Sequence, residues 1–362
     1  MARNLVEHFS IIEDPRRGRV SYELTDILVI VTCALFSEVE TFVDIAYWAR
    51  VKEPWLRRFL RLENGLPSHD TMNRVFRLLD PKVFATVFAE WVGELMPRFN
   101  QVAIDGKSLR GARRNGNPIH LVSAFATEVG LTLAHAPVDN KGSELTGASA
   151  LLEALELKGC LVSLDAAGCQ RELARQIRSR GADYLFCAKG NQPGLRQAIE
   201  DAFADAREPP AFEQFERGHG RQSARHVEAI ANIGQVDCAQ WPDCRTLGRV
   251  LSLRAEADKP AKPEIRYYIS SQVLTPEALA DAVRHHWAIE NDLHWRLDVM
   301  LHEDACAVRR DNAPENLAII RRLILNMLKL DPTHPKKSMR VRRKLAGWDD
   351  DERMRVLGLC QL

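Results

Sequence analysis

Long apolar runs are missing from this chain of 362 residues. A membrane helix needs roughly 18 uninterrupted apolar residues. The nearest candidate, 27–36, is about half that length and is bounded by Asp26 and Glu38. The amino terminus carries Arg3, Glu7 and His8 where a secretory signal would be apolar, so the chain is expected in the cytoplasm. An excess of one charge sign is also lacking: 50 basic residues face 49 acidic ones, for a net charge of +1. Any polyanion must therefore be met by local clusters rather than by a basic chain as a whole. The eight cysteines form no CxxC pair and several sit in apolar runs, which reads as buried thiols rather than a metal site or a disulfide framework. No phosphate-binding GxxxxGK[ST] loop, no GxGxxG after a strand and no GxSxG elbow occurs, so nucleotide-cofactor and serine-hydrolase chemistry have no support. His302-Glu303-Asp304-Ala305-Cys306 misses the second histidine of a zincin motif.

What remains is a soluble globular composition, 46% hydrophobic and 27% charged, on a chain long enough for two or three domains. Residues 1–97 read as helical. Within them Ser68 is a suitable N-cap, and Met72, Val75, Phe76 and Leu79 form one apolar stripe. The opposite face presents Asn73, Arg74 and Arg77, either a phosphate- and base-contacting face or an ordinary solvated one. From Asn100 the pattern changes to strands at 102–104, 119–126 and 131–138. Helix and strand then alternate through 188, which predicts a mixed sheet with helices packed on it. Residues 205–272 read as a β-rich insertion. Thr275-Pro276-Glu277 then opens a strong helix running to about Met300, and a second helix covers 316–330. The expected division is 1–97 helical, 98–204 and 273–332 as two parts of one core, 205–272 as the insertion, and 333–362 as a basic tail.

Two aspartates end apolar runs: Asp105 follows Val102-Ala103-Ile104, and Asp165 follows Leu161-Val162-Ser163-Leu164. A buried acid at a strand end needs solvent, a partner or a cation, and such ends are where ligands collect in open sheets. On the 275–300 helix, His286, Glu290 and His294 recur every four residues and form one polar row. That row is open to metal binding, to internal hydrogen bonding, or to simple exposure. Three carboxylates brought together would suit hard, oxygen-seeking Mg²⁺ and displacement at phosphorus.

The block Ala103-Ile104-Asp105-Gly106-Lys107-Ser108-Leu109-Arg110-Gly111 resembles the first catalytic block of the H-repeat-associated insertion-sequence transposases, a branch of the DDE transposases. His120–Phe125, Asp165–Gln170, Lys189-Gly190-Asn191-Gln192, His286–Val299 and Asn312–Asn316 with Arg321-Arg322 match later blocks in order. The resemblance covers nearly the whole chain. It implies an α/β fold, with a ribonuclease H-like mixed sheet, flanking helices and a β-rich insertion, preceded by a helical N-terminal domain that is a candidate for binding DNA ends. It implies Asp105, Asp165 and Glu290 as catalytic, metal-binding acids, with Mg²⁺ as the cofactor and Mn²⁺ able to substitute. Lys107, Arg110, Lys189, Asn191, Gln192, His286 and His294, with Asn73, Arg74 and Arg77, are the implied DNA contacts. The implied partners are terminal inverted repeats and target DNA, met by a homodimer or higher multimer that is nucleoid-associated when bound. No organic cofactor and no membrane are expected. Departures exist: Val283, His286 and Leu297 hold places where wider relatives carry Tyr, Arg and Lys. Gln222-Ser223-Ala224 follows Gly218-His219-Gly220-Arg221 where an acid is usual, and Ala167 replaces a Met. A DNA-binding derivative without chemistry, a stand-alone nuclease of the same fold, and a zinc hydrolase on His286, Glu290 and His294 are the alternative readings.

Overall fold

The computed structural model describes residues 5–96, 98–114, 116–138, 140–218, 221–256 and 259–359. His219 and Gly220, in the Gly218–Arg221 block, lie outside the described residues. Six helices come first: α1 (Leu5–Ser10), α2 (Leu24–Phe36), α3 (Phe42–Val51), α4 (Glu53–Leu56), α5 (His69–Leu78) and α6 (Pro81–Leu95). Side-chain caps open α3, α5 and α6. Ser68 accepts from the Thr71 N–H, and Asp80 accepts from the Lys82 N–H just ahead of Pro81.

Strands β1 (Gln101–Arg114), β2 (Asn117–Ala126) and β3 (Leu131–Val138) follow as an antiparallel meander. Then come α7 (Glu144–Ala154), β4 (Leu161–Leu164), α8 (Arg171–Ser179), β5 (Asp183–Ala188) and α9 (Pro193–Asp205). β4 pairs parallel with both β1 and β5. The order β3-β2-β1-β4-β5, three antiparallel strands and then two parallel to β1, is that of a ribonuclease H-like sheet. Residues 205–272 supply β6 (Ala211–Gly218), β7 (Arg221–Ala231), β8 (Thr246–Glu256) and β9 (Lys259–Ser270). These strands extend the same sheet, because β9 pairs antiparallel with β5, giving nine strands in the order β3-β2-β1-β4-β5-β9-β8-β7-β6.

The chain finishes with α10 (Pro276–His286), a π-helical turn (Ile289–His294), α11 (Trp295–Leu301), α12 (Ala313–Leu330), α13 (Met339–Trp348) and α14 (Asp350–Val356). The single helix that the sequence predicts from Thr275 to Met300 is thus interrupted by a π turn, in which the Trp295 N–H bonds the Glu290 carbonyl. α12 is buried along almost its whole length. It joins the amino-terminal helices to the sheet in one hydrophobic core, and Asn316 donates to the Phe76 and Leu79 carbonyls at the end of α5. The segment 333–359 carries α13 and α14. Arg342 donates to the Leu328 carbonyl and Arg343 to the Leu35 carbonyl, both from buried positions. Lys336, Lys337 and Arg340 are exposed. Among the described residues no helix is long and apolar enough to cross a membrane.

Candidate active site

The parallel register of β1 and β4 sets the first two acids side by side. Ile104 pairs with Leu164, so Asp105 and Asp165, each the next residue, lie at one level on neighbouring strands. Both border one small hollow with Gly106, Glu144 and Gly168. Asp165 is exposed, and its Oδ1 accepts from the Ala167 and Gly168 N–H groups at 2.9 and 3.2 Å. That fixes the carboxylate and leaves its second oxygen outside these bonds.

Glu290 reaches the same place from the helical layer. Buried Gln101 donates to the Ala282 carbonyl (2.8 Å) and to Ser163 Oγ (3.1 Å), and His286 Nδ1 lies 3.1 Å from the same hydroxyl. This polar network pins α10 to β1 and β4, so the following π turn carries Glu290 and His294 over Asp105. π turns within helices often mark functional sites. Oxygens of Asp105 and Glu290 and a ring nitrogen of His294 all lie within 4.8 Å of one another. His294 Nδ1 is 3.6 Å from Asp105 Oδ2 and 3.6 Å from Glu290 Oε2.

The electrostatics follow from this crowding. Burial, reinforced by the neighbouring Glu290 and Asp165 charges, pushes the Asp105 carboxyl up to about 8. The His294 imidazole beside Glu290 holds that carboxyl below its ordinary range. The two acids cannot both be ionised cheaply without a cation between them. Burial lowers His286 to about 4, so it acts as a neutral hydrogen-bonding ring.

The other predicted contacts divide. Lys189 is exposed at the end of β5, and Arg110 is exposed with its Nε 3.3 Å from Asp304. Asn191 donates to the Ala166 carbonyl and Gln192 to the Cys169 carbonyl, so they brace the Asp165 loop. On α5, Arg74 is exposed, Asn73 is half-buried, and Arg77 pairs with Asp311 at 2.6 Å. Lys107 does not face outward. Its ammonium is 2.7 Å from Asp298, 2.9 Å from Asp304 and 3.5 Å from Glu303, and only 8% of the residue is exposed. In this structure its charge is taken up inside the protein by three carboxylates.

Glu144 also borders the hollow, without being singled out by the sequence. Glu144, at the first turn of α7, has an oxygen 2.7 Å from Nε2 of buried His120, and His120 Nδ1 lies 2.9 Å from Ser108 Oγ. They press on Gly106, where an added Cβ would come within 2.3 Å of the His120 ring and 2.7 Å of Glu144. A glycine directly after the first acid is the only trace of this packing in the sequence. On the other side of Glu290 a cleft of about 560 Å³ is lined by Ser223, Arg225, Ser252, Arg266, Trp287 and Asn291, among others. Arg266 stacks on Trp287 at 4.7 Å. A larger, mostly apolar groove between α6, β3 and α7 touches none of these acids.

Comparison with known proteins gives the family. Residues 97–327 match the model of the transposase DDE domain, and residues 6–92 match that of the DDE_Tnp_1-associated region. The chain belongs to the transposase DDE domain family. It is 37% identical over 360 residues to the "H repeat-associated putative transposase YhhI" of Escherichia coli K12, covering 95% of each chain. It is 36% identical over 290 residues to an uncharacterized protein in the dhlA 3′ region of Xanthobacter autotrophicus, covering 76% of this chain and 97% of that one. Among solved structures, a cryo-EM structure of the piggyBac transposase synaptic complex with hairpin DNA aligns over 97% of this chain and 77% of that one. Its TM-score is 0.46 and its identity 13%. DDE transposases are enzymes of DNA transposition that work with divalent cations, and the donor set here suits one: two carboxylates and an imidazole nitrogen within mutual reach.

Proposed function

We propose that this DDE transposase serves an insertion sequence by binding the terminal inverted repeats, hydrolysing a phosphodiester at each end and joining the freed 3′-OH to target DNA. Asp105, Asp165 and Glu290 are the acids that would hold Mg²⁺, with Mn²⁺ able to replace it. The observation that carries this reading is the convergence of β1, the end of β4 and one pinned helix: Asp105 and Asp165 border one hollow, and Glu290 comes within reach of Asp105. Bound divalent ions would supply Lewis acidity toward the attacking and leaving oxygens of an in-line displacement. The protein's own part is positional. The Gln101–Ser163–His286 network fixes Glu290, and backbone amides fix Asp165. Asp105 sits where ionisation is costly until positive charge arrives.

DNA contact is assigned to the surface around this cluster. Lys189 and Arg110 are placed for phosphates, and the cleft with Arg225, Arg266 and Trp287 beside Glu290 offers both charge and an aromatic face for a strand. Arg74 and Asn73 keep α5 as a candidate for end recognition. Two ends must be processed together, so a dimer or larger assembly on DNA is part of the proposal, as is a cytoplasmic, nucleoid-associated location.

The test is cleavage and strand transfer on labelled DNA carrying the element's ends, with and without Mg²⁺. Wild type is expected to cut and join only with the metal. Asp105→Asn, Asp165→Asn and Glu290→Gln should each lose on the order of a hundredfold or more. Cutting without joined products would make the protein a nuclease, and specific end binding without cutting a DNA-binding derivative. Mutants as active as wild type would remove the site assignment altogether.

A further inference from the structure

We propose that His294 is itself a metal ligand, so that the cation shared by Asp105 and Glu290 sits in a mixed nitrogen and oxygen donor set. This rests on the reading of those two acids as metal-binding.

The argument begins with burial. His294 is only 6% exposed, which excludes it from the surface that would meet a phosphate backbone. Among the described residues its Nε2 has no hydrogen-bond partner. The polar company of the ring is therefore all at Nδ1, which looks onto the two carboxylates. A buried polar ring kept in that orientation needs something to bind there.

Distance then discriminates between two partners for Nδ1. An imidazolium bridging two carboxylates would make charge-assisted hydrogen bonds of about 2.7–2.9 Å. Both Nδ1–oxygen separations are 3.6 Å. Ligands held at about 2.1 Å around one ion lie roughly 3.0–3.5 Å apart, close to the observed spacing. The acid and the histidine also come from one rigid turn, Glu290 near the start of the π segment and His294 at its end. Asp165 stands apart: it is exposed, one oxygen is engaged by backbone amides, and it is not in the compact group of three donors.

The chemistry gives a consequence that an all-carboxylate site lacks. Mg²⁺ prefers oxygen and gives up its waters reluctantly, whereas the divalent ions of the first transition row, Mn²⁺ the weakest among them, accept imidazole nitrogen more readily. The His294 site should therefore hold Mn²⁺ more tightly than Mg²⁺, and the margin should shrink when the nitrogen is removed.

Pulsed electron paramagnetic resonance on the full-length protein loaded with Mn²⁺ tests this directly, because a coordinated nitrogen modulates the manganese echo. The expected result is a ¹⁴N modulation in wild type and in His286→Gln that disappears in His294→Gln, with the Mn²⁺ dissociation constant raised about tenfold or more. Should His294→Gln fold poorly, the wild-type spectrum still decides. Bound Mn²⁺ that depends on Asp105 but shows no nitrogen coupling would overturn the inference while leaving the acid site standing. A nitrogen signal that survives His294→Gln would overturn it as well. If Asp105→Asn binds Mn²⁺ as tightly as wild type, the reading of the acid cluster falls, and His294 with it.

Discussion

Asp105 shows how one side chain can couple metal, pH and stability. Its carboxyl in the folded protein is pushed up to about 8, against an ordinary value of 3.8, first by burial and then by Glu290 and Asp165. Between those two values the metal-free folded protein keeps a proton that the unfolded chain has released. Stability must therefore fall as pH rises through that window. A divalent cation relieves the penalty by neutralising the cluster once the proton has gone. The rise in thermal midpoint on replacing EDTA with Mg²⁺ or Mn²⁺ is thus expected to be larger near pH 9 than near pH 6. Asp105→Asn, which has no proton to lose, should flatten that difference. Thermal unfolding at the two pH values checks it, and equal metal increments in wild type would contradict the assignment.

Among elements, a second contact between the site's two halves, beside the Gln101–Ser163–His286 network, runs through Lys107. Two residues beyond Asp105 on β1, it reaches Asp298 in α11 and the Glu303–Asp304 turn that follows, so the strand bearing one acid is tied to the helix end beyond Glu290. Glu303 is fully buried and also paired with Arg322 at 2.8 Å. Lys107→Met would leave these acids short of a cation, and breaking a buried pair this way costs about 3–5 kcal/mol. The expected outcome is a lower urea midpoint and weaker catalysis, with the salt dependence of DNA binding unchanged. A phosphate-contacting lysine would instead reduce the slope of log K against log salt by about 0.9. Here the sequence was legible only in part. Asp105 and Asp165 stand out because an acid directly after an apolar strand is costly without a partner, and the capped start at Thr275 marks the third element. Nothing local marks Lys107 as internal, because its partners lie almost two hundred residues away. The π turn was likewise invisible, since the four-residue spacing of His286, Glu290 and His294 fits an uninterrupted α-helix equally well. β1 runs to Arg114, well past its apolar start, because pairing with β2 sustains a strand whose side chains have turned polar.

At the scale of the molecule, the carboxyl-terminal helices close the core, although their composition reads as a basic tail. Arg353 is fully buried between Trp48 and Trp55, 5.3 and 5.0 Å from their ring centres. It donates to Asp350 and to the Gly347 carbonyl. Gly347 packs so tightly on the end of α2 that an added Cβ would lie 2.8 Å from the Phe36 carbonyl oxygen. Charge counting along the sequence cannot separate these arginines from Lys336, Lys337 and Arg340, because tryptophans about three hundred positions earlier decide which are buried. The two groups should therefore respond oppositely to substitution. Arg353→Ala should lower stability by about 3 kcal/mol or more, through the lost stacking on two tryptophans and the lost bonds to Asp350 and the Gly347 carbonyl. It should leave the salt slope of DNA binding where it was. Replacing Lys336, Lys337 and Arg340 together with glutamine should leave the unfolding midpoint nearly unchanged, and should lower the slope only if DNA crosses this face. Urea titration and salt-dependent binding on the same variants separate the two roles. A stable Arg353→Ala protein with a weakened salt dependence would mean that these helices are a DNA-binding appendage after all, and that the core closes without them.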